Sequence, residues 1–402
     1  MSEWPIVRFE ELADSSKSAF SKPYGSAIMK EDYRSSGVPV VRGVNLANGI
    51  FVDDDFVFIS DEQADRMPGA NLTSGDLVFT HRGTIGQVSM IPWSRKHARY
   101  VLSTSHVKAR LDTSRARPEF YYYYFGSPQG QQELLKNASV VGVPGIAQPV
   151  ATIKSLAVPH PPLPIQNAIV ALLGALDDKI AVNGQIAHSC DQLCSTRFRY
   201  WIQSNPESAQ EWPLSSMGEF INGRAFTKDA SGNGRMVIRI AEINSGPSLS
   251  TVYNDISVPD AHVARPGDVL FAWSGSLAVA RWFRAEGIVN QHIFKVIPRD
   301  GIPVWLIFEL INSKLARFKG IAADKATTMG HIQRHHLDET VLAPIQECIP
   351  ELDAAFGPLW DRALVAEQES VELAKLRDTL LPKLMSGEIR VRDAEKVVED
   401  VT

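Results

Sequence analysis

Two kinds of hydrophobic patterning alternate along the chain. Between residues 38 and 91, apolar residues come in short runs, VPVV, FVFI, LVF and VSMI, broken by Gly, Asn and Asp. Such β-branched and aromatic runs bounded by turn formers predict short strands. From residue 161 the period changes. Ile165, Ile169, Leu172, Leu176, Ile180, Ala187, Cys190, Cys194, Phe198 and Trp201 fall mostly three or four apart, which predicts an amphipathic helix over 161–202 with a coiled-coil seam. Asn183 sits on that seam, where a buried polar residue fixes register at some cost in stability. A second stretch, 351–390, continues the same rhythm through Leu352, Phe356, Leu359, Ala363, Ala366, Leu373, Leu376, Leu380 and Leu384. Each predicted helix is ~35 residues long within these stretches, so at ~1.5 Å per residue each is a rod of ~50 Å. One such stripe alone would be read as packing against its own domain. Two matched stripes favour packing on each other.

The strand-rich regions are also matched. SGDLVFTHRGTIG (74–86) reappears as PGDVLFAWSGSLA (266–278), 192 residues on, with Gly75 and Gly83 returning as Gly267 and Gly275. The glycine spacing is kept while Thr80-His81-Arg82 becomes Ala272-Trp273-Ser274, as expected if the glycines occupy turns that need positive φ. STSHVKARL (103–111) resembles VNQHIFKVI (289–297), aligning His106 with His292. The aromatic-rich amphipathic segments 117–135 and 302–320 open after Pro118 and Pro303, and each half closes on Pro-Ile-Gln. The predicted organisation is therefore α+β: a mostly-β module over 1–160, a central helix over 161–202, a second module over 203–350, a distal helix over 351–390 and an acidic tail over 391–402. The last residues, from Glu395 on, are expected to fray.

The 402 residues are enough for two or three domains with real cores. Three cysteines, Cys190, Cys194 and Cys348, are too few and odd in number for a disulfide framework and point to a reducing, cytoplasmic setting. Cys190 and Cys194 are read as apolar packing. No apolar run is long enough to span a membrane. Net charge is −5, and the tail from 351 on, with seven basic and twelve acidic side chains, holds that excess. Nucleic-acid binders usually carry a basic surplus, so the near-neutral modules lean against DNA unless partners supply the phosphate contacts.

Catalytic signatures are missing from the sequence. There is no phosphate-binding G-x-x-x-x-G-K-[ST] loop, no strand–GxGxxG–helix unit and no G-x-S-x-G elbow. HPPLP (160–164) lacks the Asn or Asp and aromatic flanks of an amino-methyltransferase pocket. In HIQRHH (331–336), His331 and His335 have i,i+4 spacing, but no local carboxylate or cysteine completes a zinc set. The plain reading of Asp177-Asp178 is a solvated face or a helix-to-helix clamp.

With this order in hand, SGDLVFTHRGTIGQVSMIP, PLPIQNAIVALLGALDDKI, TTMGHIQRHHL and LRDTLLPKLMSGEIRV resemble the specificity (S) subunit of type I restriction–modification systems over roughly residues 20–392. The second module departs from the family phrase, with WSGSLA in place of an R-G-T-I-G ending. The resemblance implies two target-recognition domains, each reading half of a split DNA sequence. It also implies two antiparallel helices that set the unread spacer, and no enzymatic activity or cofactor of its own. Its partners would be double-stranded DNA, two methyltransferase (M) subunits that use S-adenosylmethionine and, in full assemblies, two translocating endonuclease (R) subunits. The rival readings are a non-catalytic assembly scaffold of a defence or phage-derived system without sequence selectivity, and an unrecognised fused methyltransferase.

Base reading needs side chains at groove edges. The candidates are polar residues on loops beside the duplicated phrase. In the first module they are Arg42, Asn45, Thr80, His81, Arg82, Thr84, Ser105 and Lys108. In the second they are Arg224, Arg239, Asn244, Trp273, Ser274, Ser276, Arg281, Asn290 and Gln291. The Arg82 guanidinium suits guanine O6 and N7, and Asn45 and Asn244 suit adenine N6 and N7. The plain alternative for each is a capped loop, a salt bridge or a phosphate contact.

Overall fold

The structure is a computed structural model that describes residues 4–25, 27–139, 142–324 and 330–400. The chain divides into two compact units. Unit 1 comprises Met1–Asp177 with Ala374–Thr402, and unit 2 comprises Asp178–Leu373.

The short apolar runs of unit 1 pair into two four-stranded sheets. One has the order Phe20–Ser21, His106–Ala109, Leu77–Thr80, Val88–Met90 and is wholly antiparallel. The other has the order Val57–Ile59, Val38–Val41, Tyr100–Leu102, Asn71–Leu72, and its central pair is parallel. A two-stranded ribbon, Ile6–Arg8 with Ala157–Pro159, precedes the central helix. Unit 2 repeats this plan strand for strand. Gly218–Asn222, Ile293–Pro298, Val269–Ala272 and Ala278–Arg281 form its antiparallel sheet. Tyr253–Asn254, Arg235–Ile238, Gly287–Val289 and Val263–Ala264 form the mixed one. Its ribbon is Ala209–Pro213 with Thr340–Pro344, ahead of the distal helix.

The repeated glycines have φ of 82°, 88°, 94° and 66° at Gly75, Gly83, Gly267 and Gly275, the left-handed turns their spacing predicted. Beside them a polar framework is repeated too. Asp76 Oδ2 accepts the Thr73 amide and Asp268 Oδ2 accepts the Arg265 amide, each closing the turn that opens the phrase. Behind each aspartate lies a buried lysine. Lys108 Nζ donates to the Asn71 carbonyl at 2.9 Å, and Lys295 Nζ donates to the Val263 carbonyl at 2.6 Å. Each ammonium thus ties the antiparallel sheet of its unit to the mixed one. Strand pairing also corrects the alignment by one residue. Thr80 faces His106 and Ala272 faces Ile293, so His106 corresponds to Ile293, Ser105 to His292, and Lys108 to Lys295.

The central helix spans Leu163–Ser204 and the distal one Ile349–Ser386, 42 and 38 residues, both longer than the ~35 expected. Their halves belong to different units, so the units do not break at the helix ends as the module plan assumed. In unit 1, Ile169 and Leu173 share the core with Leu380 and Leu384, below an aromatic cluster of Phe9, Phe20, Phe79 and Phe125. Asp177 is the clamp: its Oδ1 takes Arg377 at 2.6 Å and its Oδ2 takes the Tyr123 hydroxyl at 2.7 Å. In unit 2, Ala187 packs on Ala363 and Ala366, and Phe198 on Phe356 and Trp305. Asn183 is buried on the seam and donates to Glu369 Oε2. In both units the two helices run antiparallel. The Cys194 thiol lies in this packing, where burial raises its pKa. The tail is not frayed over its described part. Val391–Glu399 is a helix, with Ala394 buried and Val398 packed on the unit 1 core, because the charged residues alternate with an apolar face. Among the described residues no helix is long and apolar enough to cross a membrane.

Candidate nucleic-acid interface

In each unit four backbone segments converge at one end of the antiparallel sheet. In unit 1 the ladder ends at Thr80–His106. The His81 amide then donates to the Ser105 carbonyl, Ile146 donates to the His81 carbonyl, and Gly83 donates to the Pro144 carbonyl. In unit 2, Trp273 donates to the His292 carbonyl, Ile332 to the Trp273 carbonyl, and Gly275 to the Gly330 carbonyl. The framework is the same, and different side chains stand on it.

On the unit 1 surface Arg82 and Thr84 are exposed, and His81 and Ser105 are half-buried. The His81 ring donates through Nε2 to the Thr104 carbonyl at 3.1 Å, and burial, with Lys22 and Arg82 nearby, lowers its pKa. Two residues past Lys22, Tyr24 is 86% exposed. On the unit 2 surface Arg224 and Ser276 are exposed, and Trp273 and Gln291 are half-buried. The indole of Trp273 donates to Asn222 Oδ1 at 2.8 Å, with its ring 5.7 Å from that of His292 and 6.3 Å from that of His331. Asn222-Gly223-Arg224 presses against the 289–290 backbone. A Cβ on Gly223 would lie 2.2 Å from the carbonyl oxygens of Val289 and Asn290, so only glycine fits.

Several sequence candidates lie in the framework instead of on its surface. Thr80 and Ser274 are buried in the strand ends, and Asn290 is buried beneath Gln291. Lys108 is the sheet tie, with burial lowering its pKa to about 8. Arg281 is buried in the helix seam of unit 2. It bonds Glu367 at 2.7 Å and Asp191 at 3.2 Å, and its guanidinium lies 4.4 Å from the centre of the Trp360 ring. Asn45 is a loop cap: it accepts the Arg42 amide and donates to the Asp54 carbonyl. Its counterpart in unit 2 is Glu242, not Asn244. Glu242 accepts the Arg239 amide in the same way and also pairs with the Arg239 guanidinium. Burial alone would raise the Glu242 pKa, but the bonds from Arg239 and Thr251 bring it below the ordinary range. Arg42, its Nη2 on the Asp55 carbonyl, and Arg239 are therefore partly committed, while Asn244 is exposed at the end of a short helix. Polar side chains in strands and caps look the same in sequence as those on open loops, and burial separates them.

Sequence reasoning passed over Lys22, Tyr24 and Asn222. The corrected alignment, with 22–24 matched to 222–224 by strand register, is the signal that finds them. The histidine pair does not sit on a helix face. His331 bridges Ser274 in extended backbone, whereas His335 lies in the 3-10 turn Arg334–Asp338. Thr327, Thr328 and Met329 of the quoted TTMGHIQRHHL phrase lie outside the described residues.

Residues 1–189 match the family model described as the type I restriction modification DNA specificity domain. The MjaIX type I restriction enzyme specificity subunit of Methanocaldococcus jannaschii is 21% identical over 432 residues, covering 97% of this chain and 94% of that protein. Among solved structures, the type I restriction–modification S subunit from M. genitalium aligns with a TM-score of 0.56 at 13% identity, over 95% of this chain and 96% of that one. An HsdS subunit from Thermoanaerobacter tengcongensis aligns at 0.37 and 17% identity, over 96% and 97%.

Proposed function

We propose that the chain is a specificity subunit of a type I restriction–modification system and that its two units each read one half of a split duplex DNA target. It is a non-catalytic subunit for DNA target recognition. The observation that supports the two-headed reading is the repeated sheet end. Identical backbone hydrogen bonds carry His81, Arg82 and Thr84 in one unit and Trp273 and Ser276 in the other. A scaffold held constant while its presented side chains vary is what two different half-sites require. The continuous central helix, 42 residues or about 63 Å at 1.5 Å per residue, is the part we assign to the unread interval. One turn of B-DNA is ~34–36 Å. Methyltransferase subunits, and translocating endonuclease subunits in the full assembly, would dock on this chain and supply both the chemistry and most of the phosphate neutralisation. The net charge of −5 fits that division of labour.

Methylation-sensitive long-read sequencing of DNA from cells carrying the chain with its M partner tests the proposal. Methylated adenines confined to one two-part motif are expected. Methylation without a shared motif would instead favour an assembly scaffold. Gel shifts at rising salt should show weak binding by the chain alone and tight, salt-sensitive binding with the M subunit.

A further inference from the structure

Three consecutive residues at the unit 2 sheet end each hold a buried polar atom with no hydrogen-bond partner: Asn290 Oδ1, Gln291 Oε1 and His292 Nδ1. Buried polar atoms are nearly always paired, and an orphan is destabilising. Three in succession at the surface where four segments converge mark a place that is completed by something else. The backbone beneath is fixed. The Asn290 amide donates to the Ile238 carbonyl, Ile293 donates to the Asn290 carbonyl, and Trp273 donates to the His292 carbonyl. The side chains of Gln291 and His292, by contrast, are only half-buried. No hydrogen bond holds the Gln291 amide oxygen inward, so turning it outward sacrifices none.

We propose that Gln291, with His292 beside it, is the base-reading element of unit 2, and that it takes an adenine. A carboxamide offers an acceptor and a donor side by side. This matches adenine N6–H and N7 in the major groove, and no other base presents that pair in that order. The role first assigned to Asn45 and Asn244 passes to Gln291, since Asn45 is spent on its own loop. Trp273, anchored through Asn222, walls one side of the site. Arg224, exposed next to it, serves the adjacent phosphate.

This inference rests on the two-headed reading, and one experiment separates the two. The full chain is co-expressed with the M subunit of its system. Methylation is then read on a plasmid library randomised at every position of the motif. Gln291→Ala should lower discrimination for adenine at one position of one half-site by about tenfold or more, leaving the other half-site untouched. His292→Ala should loosen the same or the adjacent position. If Gln291→Ala leaves every position as selective as before, or relaxes a position that is not adenine, the inference falls while the two-part motif of the unaltered chain keeps the broader reading intact. An equal loss on all sequences would make Gln291 a phosphate or structural residue, and overturns it as well. If the unaltered complex has no two-part motif, the broader reading fails first.

Discussion

The two units carry the same lysine tie and wire it differently. In unit 2, Lys295 meets Asp268 directly at 3.0 Å, and among the described residues no arginine side chain joins that pair. In unit 1 the matching Asp76 is taken bidentately by Arg110, both contacts at 2.7 Å, and Lys108 is left with the Asn71 carbonyl. The position matching Arg110 in unit 2 is Ile297, which has no charge to offer. One fold thus tolerates two ways of neutralising a turn aspartate, as long as the ammonium still bridges the sheets. Duplication has preserved the geometry and let the charge partners drift.

The largest test of that contrast is removal of the ammonium. Lys295→Ala leaves Asp268 without its cation and should destabilise unit 2 by about 3–5 kcal/mol. Lys108→Ala costs the Asn71 carbonyl its donor, about 1–3 kcal/mol, because Arg110 still holds Asp76. Hydrogen exchange, which reports each unit separately, reads both values, and equal losses would break the comparison. The helix seam comes next. Arg281 stands at the strand position occupied by Met90 in unit 1, so Arg281→Met imports the unit 1 residue. Stranding Asp191 and Glu367 should cost unit 2 about 3 kcal/mol in denaturant unfolding, more than any change made by Met90→Leu. Smaller still is the effect at the reading surface. Arg82→Ala should relax one half-site by about 1–3 kcal/mol in methylation or binding selectivity, with the other half-site unchanged. An equal loss on all sequences would make Arg82 a phosphate contact.

The same lysine tie gives a separate test in pH. Burial holds Lys108 to about 8 when folded, against an ordinary value of 10.5. The unfolded chain therefore binds this proton more tightly between those values, and stability from this site should rise as pH climbs from about 8 to 10.5. Below pH 8 both states are protonated and the slope vanishes. A Lys108→Met variant should lose that slope in exchange measurements on unit 1.

What could be read from sequence followed from local physics. The 3–4 spacing gave the two helices. The conserved glycine spacing gave the turns, because positive φ is a local demand. Asn183 was readable as a seam residue and Asp177 as a clamp because helix periodicity assigns faces. The strand runs came out at Val38–Val41, Val57–Ile59, Leu77–Thr80 and Val88–Met90. The rest depended on pairing between distant strands. A one-residue slip placed His106 against His292 and concealed the match between Lys108 and Lys295. Asn45, Lys108 and Arg281 read as surface chemistry because nothing in their neighbourhood reveals that a carbonyl, a sheet partner or an acidic helix face waits for them. The tail was judged by its charge, and the core it joins is built largely from residues more than two hundred positions away.

Unit 1 is discontinuous in sequence, closed by Leu380, Leu384, Met385 and Ala394 from the far end of the chain. A ribosome translating this message finishes the middle of the polypeptide before it finishes the beginning. The first-made module must wait, with the faces of Ile169 and Leu173 open, until residues 380–394 have been made. A stop codon introduced just after residue 373 would therefore cripple the first unit and spare the second.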